Sequence, residues 1–169
     1  MKKKIALSLV SAAAVAAIAA PLAVGHASVS LLQPQGSALA GKSGTWILRV
    51  PNERDSRSTF KVTLNVPTAI QSSVSVRQSS QWAMTVVKGA TAGISQVTWK
   101  AKTADDQIHP GQYGVFEFRF TNPATAQSLC FSVDQVYNGS AKGVASEIVS
   151  WSGAPGTATP ASCVAIVAS

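Results

Sequence analysis

The chain has 169 residues, of which 46% are hydrophobic and 12% charged, with 14 basic side chains against 7 acidic ones. The basic residues are scattered, and no basic run carries interleaved aromatics, which removes the usual footprint of a nucleic-acid binder. A chain of this length suits one domain that buries roughly 70% of its unfolded surface, so a core can form without staples.

At the N-terminus, Lys2, Lys3 and Lys4 precede an uncharged stretch from Ile5 to Ala20 dominated by Ala, Val, Leu and Ile. Pro21 breaks that run, and Ala23-Val24-Gly25 places small residues at positions −3 and −1 of a cut before His26. This is the layout of a secretory signal peptide. The apolar run falls short of the roughly 20 residues of a spanning helix. Residues 1–25 are therefore expected to be removed, leaving a mature domain of residues 26–169 with no membrane span, in the periplasm or outside the cell. The cut takes away three lysines and leaves 11 basic against 7 acidic residues, a net charge of +4.

The mature segment reads as β throughout. Val29–Leu32 and Gly44–Val50 are the first candidate strands. Phe60, Val62, Leu64 and Val66 then alternate with Lys61, Thr63 and Asn65, the period of a half-buried strand. Val74–Arg77, Ala83–Lys88 and Ile94–Ala101 follow, and Phe116, Phe118 and Phe120 alternate with Glu117 and Arg119. Leu129–Val136, Val144–Trp151 and Cys163–Val167 complete the series. Turn chemistry separates them, at Gly41-Lys42-Ser43-Gly44, Lys88-Gly89, His109-Pro110-Gly111, Asn122-Pro123 and Asn138-Gly139. Ser152–Ser162, rich in Gly, Ala, Pro, Ser and Thr, is a loop before the last strand. Many short strands at this spacing predict an all-β fold, a single β-sandwich of immunoglobulin or fibronectin III type.

Cys130 and Cys163 are the only cysteines. In an oxidising exported compartment an even pair predicts a disulfide. No further Cys or His stands at finger-like spacing, which argues against a thiolate metal site.

Chemistry-bearing residues are few. There is no nucleophile elbow and no phosphate-cradling glycine loop, so the chain is read as a non-enzyme. The mature segment has two histidines, His26 and His109. A histidine at the first mature position offers its free α-amine and its ring Nδ1 to one metal ion, and two nitrogen donors suit Cu(II). Arg49-Val50-Pro51-Asn52-Glu53-Arg54-Asp55 places an acidic pair just past a strand end. A carboxylate there can complete such a site, and spacing alone does not choose between Glu53 and Asp55. His109, before Pro110-Gly111, is a turn residue. Met84 is isolated, whereas a thioether Cu(I) site needs several soft ligands.

The Val50-Pro51-Asn52-Glu53 string and the His26-Ala27-Ser28-Val29 start resemble the YcnI-like copper-binding family. So do Val97-Thr98-Trp99, the run from Ile108-His109-Pro110-Gly111-Gln112-Tyr113 to Phe116-Glu117-Phe118, and a late Trp. The resemblance spans nearly the whole mature chain. It implies an exported β-sandwich that binds Cu(II) through a single-histidine brace: the amine and imidazole of His26, the carboxylate of Glu53, and Trp151 close to the metal. The other tryptophans, Trp46, Trp82 and Trp99, are expected in the core. The function implied is copper homeostasis or trafficking, with the copper ion and another periplasmic or membrane copper-handling protein as partners. The alternatives are an adhesion or assembly module with no metal role, and a copper-dependent oxidative enzyme. The latter would need a second histidine, for which only His109 is available. The chain departs from the family pattern in its polar segment Asn138-Gly139-Ser140-Ala141-Lys142-Gly143 and in its cysteine pair.

Overall fold

The computed structural model describes residues 25–32, 38–90, 92–139 and 141–169. All of the expected signal peptide except Gly25 lies outside the described residues.

Eleven strands and one short 3-10 helix make up the described chain. They are β1 (Ser28–Leu31), β2 (Ala38–Leu39), β3 (Ser43–Pro51), β4 (Thr59–Asn65), the helix Thr68–Ser73, β5 (Ser75–Val76), β6 (Trp82–Lys88), β7 (Ile94–Ala101), β8 (Tyr113–Thr121), β9 (Gln127–Tyr137), β10 (Glu147–Trp151) and β11 (Ser162–Val167). They form two sheets. One has the order β1-β3-β8-β5; the other runs β2-β11-β9-β4-β7-β6, with β10 also on β9. Among the described residues no helix is long and apolar enough to cross a membrane.

The sheets face each other across an aromatic core. Phe116, Phe118 and Phe120 of β8 point inward, as their alternation with Glu117 and Arg119 predicts. Phe116 packs against Trp99 and Trp82 of the opposite sheet, at centroid distances of 4.8 and 5.1 Å, and Phe118 meets Phe131 at 6.0 Å. Trp46 stacks on Phe120 at 4.8 Å. These offset and edge-on pairs bury large rings in geometries that their quadrupoles favour. The β-sandwich expected from the strand pattern is thus the architecture observed, and Trp46, Trp82 and Trp99 are core residues.

Three of the departures from the sequence reading have a local reason, and the two-residue β2 was not expected. A bulge between Thr59 and Lys61 interrupts the pairing of β4 with β9. The extra residue changes the facing, so Thr59 is fully buried while Phe60 is only half-buried. The expected strand from Val144 starts instead at Glu147, opposite Tyr137, because Val144 N–H closes a turn onto Ala141 O. The expected strand Val74–Arg77 shrinks to two residues because the 3-10 helix occupies the chain up to Ser73.

Cys130 and Cys163 form the expected disulfide, on directly opposed positions of β9 and β11. It closes a sequence separation of 33 residues, for which chain-entropy reasoning gives about 3–4 kcal/mol. The doubly substituted Cys130→Ser, Cys163→Ser protein should lose stability on that scale in denaturant unfolding, and an unchanged midpoint would contradict the estimate.

Candidate metal centre

His26 is placed by strand pairing. β1 runs antiparallel to β3, with Ser28 opposite Arg49 and Leu31 opposite Trp46. The residues just before β1 therefore lie beside the end of β3, where Pro51 closes the strand. Ala27 is buried and Val29 N–H donates to Ser162 Oγ at 2.7 Å, which anchors this segment across to β11. Gly25 adopts a left-handed φ of +42°, and a Cβ there would lie 2.8 Å from Pro51 Cγ and 3.9 Å from Glu53 Oε1. The backbone entering His26 thus runs over Pro51 and towards the Glu53 carboxylate.

Glu53 sits on the segment that carries the chain from β3 in one sheet to β4 in the other. Such a crossover exposes backbone groups with no ladder partner, and buried ones must be satisfied otherwise. Asn52 meets that need: its Nδ2 donates to Arg57 O at 2.7 Å and Ile108 O at 2.8 Å, and its Oδ1 accepts from Arg54 N–H at 2.9 Å. The loop is also tied to β10. Arg54 Nη2 meets Glu147 Oε1 at 2.6 Å, Arg57 Nη1 meets Glu147 Oε2 at 3.1 Å, and the Arg54 guanidinium lies 5.1 Å from the Tyr137 ring centre. These ion pairs are about one-third exposed on the Arg54 and Glu147 sides, so each contributes only about 0–1 kcal/mol. Their effect is to fix position. The Arg54 guanidinium holds the Glu147 carboxyl below its ordinary range.

The Glu53 carboxylate is the unusual group of the region. Its Oε1 is buried without a hydrogen-bond partner. Burial pushes its pKa up from the ordinary 4.5, and the nearby charges of His26 and Arg54 pull it part of the way back. A buried anionic oxygen with no donor is costly unless a cation or a proton reaches it. Asp55, the other acidic candidate, is exposed at a bend.

Trp151 comes from the opposite sheet. It ends β10, opposite Val133 of β9, and its side chain is turned into the sandwich. Its ring centre lies 5.4 Å from that of His26, with the planes tilted by 50°. The Trp151 Nε1–H is engaged elsewhere, donating to Gln135 Oε1 at 3.0 Å. The indole N–H is therefore not directed at His26. The tertiary structure thus gathers His26, Glu53 and Trp151 at one end of the sandwich, from β1, the β3–β4 crossover and β10. His109 stands apart in its turn, its Nδ1 within 3.0 Å of Ser58 Oγ.

Among the described residues no group of three or more His, Cys, Asp or Glu side chains is gathered to hold a metal. A metal here would need a donor beyond His26 Nδ1 and Glu53, and the α-amine released by a cut before His26 has that capacity. The orphaned Oε1 fits a cation at this place. Gln135 is the residue that sequence reasoning overlooked. The signal was present, since Gln135 shares the inward parity of Phe131, Val133 and Tyr137 on β9.

A family model described as a domain of unknown function, DUF1775, matches residues 26–166. The chain belongs to the DUF1775 family. Proteins of YcnI type are members of the same family. A crystal structure of an uncharacterized protein from Nocardia farcinica with an immunoglobulin-like fold is similar to this DUF1775 domain, with a TM-score of 0.69 and 20% identity over 84% of this chain and 98% of that one. At that identity the likeness shows the fold alone. A cohesin module from Clostridium perfringens is more distant, with a TM-score of 0.46 and 8% identity over 85% of this chain and 98% of that one. No curated protein matches the sequence.

The raised pKa of Glu53 makes a prediction for the metal-free DUF1775 domain. The folded value lies above the unfolded one, so the folded state holds more protons within that window. The contribution of Glu53 to stability is therefore greatest below about 4.5 and declines as pH rises through the folded value. Glu53→Gln should melt higher than the wild type at pH 7, by up to a few degrees, with the gap closing as the pH is lowered towards 4.5. A lower melting temperature at pH 7 would refute this account of Glu53.

Proposed function

We propose that the protein is an exported Cu(II)-binding carrier or buffer of copper homeostasis, working outside the cytoplasm with copper as its cargo. In this reading the donors are the α-amine and Nδ1 of His26 and the carboxylate of Glu53. The observation that carries it is the convergence of His26 with a buried, unpartnered Glu53 oxygen and the Trp151 ring. Two nitrogens and a carboxylate oxygen suit Cu(II), and the electron-rich indole face attracts a cation while keeping water out. The disulfide supports an oxidising compartment. The family match beginning at His26 is consistent with a mature domain that starts there.

The chemistry asked of the chain is binding, not turnover. The backbone brings the His26 nitrogen past Pro51, the Asn52 hydrogen bonds hold Glu53 in reach, and Trp151 closes the inner side. Delivery to a membrane or periplasmic copper-handling partner is the matching physiological task.

Two variants of the processed protein test the reading. His26→Ala removes the ring, and one added residue before His26 removes the free amine while leaving the ring. Both should reduce Cu(II) binding to the adventitious level in competition titrations. Affinity in the unmodified protein should also fall as the pH is lowered, because protons compete with the metal for its nitrogen donors. Unchanged affinity in both variants would end the proposal.

A further inference from the structure

Gln135 is a polar side chain in the core that the metal reading leaves unused. It is fully buried at an inward position of β9 where its neighbours in parity, Phe131 and Val133, are apolar. An amide in such a place costs free energy unless its hydrogen-bonding groups are engaged. All of them are. Gln135 Nε2 donates to Pro51 O at 2.8 Å and to Thr59 Oγ1 at 2.7 Å, and Oε1 accepts from Trp151 Nε1–H at 3.0 Å. One side chain thereby joins the two ends of the crossover that carries Glu53 to the indole that meets His26.

We infer that Gln135 is the positioning residue of the centre: it holds the Trp151 N–H and so sets the orientation of the indole beside His26, and it fixes the point at which the Glu53 segment leaves β3. The physical ground lies in the indole itself. Its N–H edge is electropositive and its face electron-rich, so only the face is compatible with a cation beside His26. An indole freed from Gln135 would keep a buried N–H with no acceptor, a cost that turning the ring would relieve, and the ring would then lose its present setting beside His26. By capturing the N–H, Gln135 keeps the ring in its setting beside His26.

The consequence for copper rests on the proposed Cu(II) function, but the positioning itself can be measured without metal. In the processed, metal-free protein the Trp151 indole N–H resonance, identified by its loss in Trp151→Phe, should be protected from solvent exchange. Gln135→Met, unbranched and similar in length, should exchange that proton at least about 10-fold faster. It should also bind Cu(II) about 10- to 100-fold more weakly, the scale for removing a group that orients a ligand. Gln135→Glu is the conservative rescue. A carboxyl buried there stays protonated, so it can accept from Trp151 and donate to Pro51, and the protection and affinity should be restored. If Gln135→Met does not fold, Gln135→Asn takes its place: one methylene shorter, it cannot span Pro51 and Trp151, and the protection should again be lost. Wild-type exchange and affinity in the Met or Asn variant would overturn the inference. If the wild type binds no copper, the metal reading fails separately, and the exchange rates alone decide whether Gln135 positions Trp151.

Discussion

A chain that passes from one sheet of a sandwich to the other must bury backbone groups that have no ladder to join. In this protein that constraint falls on the segment between Pro51 and Thr59, and three amide side chains meet it, Asn138 by accepting from Ser58 N–H at 2.9 Å. Asn52 supplies donors to the Arg57 and Ile108 carbonyls and an acceptor to the Arg54 N–H. Gln135 supplies donors to the Pro51 carbonyl and the Thr59 hydroxyl. Ile108 and Thr59 also exchange backbone hydrogen bonds, at 3.0 and 2.9 Å. These hydrogen bonds hold the crossover in place, and Glu53 projects from it at a fixed place.

The rest of the centre follows from that fixed place. Antiparallel pairing with β3 delivers His26 to the same end of the sandwich, and β10 delivers Trp151 from the facing sheet. The Arg54–Glu147 and Arg57–Glu147 pairs add little stability because they are partly exposed, yet they join the crossover to the strand that carries Trp151. Glu53 itself is left unsatisfied. That is a local cost at the end of the sandwich, beside the histidine. A buried carboxylate oxygen without a donor, beside a histidine, is an arrangement that a cation would relieve.

The sequence made some of this legible. Period-2 alternation in Phe116-Glu117-Phe118-Arg119-Phe120 announced a half-buried strand, and the structure turns those three rings inward. The turn chemistry at His109-Pro110-Gly111 is also observed: Gln112 N–H bonds to His109 O, and Gly111 takes a φ of +76°. The alternation misled at Phe60, because a bulge adds a residue without changing composition. It misled again at Val144, where a turn delays the strand to Glu147. Gln135 escaped notice because a glutamine in a strand ordinarily points to solvent. Its inward parity has meaning only once Pro51, Thr59 and Trp151 are known to surround it.

Local patterns alone determined the all-β class, the β-sandwich architecture and the pairing of the only two cysteines. Each follows from a periodicity or a count that needs no knowledge of distant contacts. The same local reading singled out His26 and an acidic pair, and left Glu53 and Asp55 equivalent because both lie in the short charged stretch just past the strand end. The tertiary structure gives the physical difference between them: Glu53 is half-buried beside His26 with its Oε1 shielded and unpartnered, and Asp55 is left in solvent. Burial and partnership are properties of the packed pair of sheets, and the spacing along one strand end does not encode them.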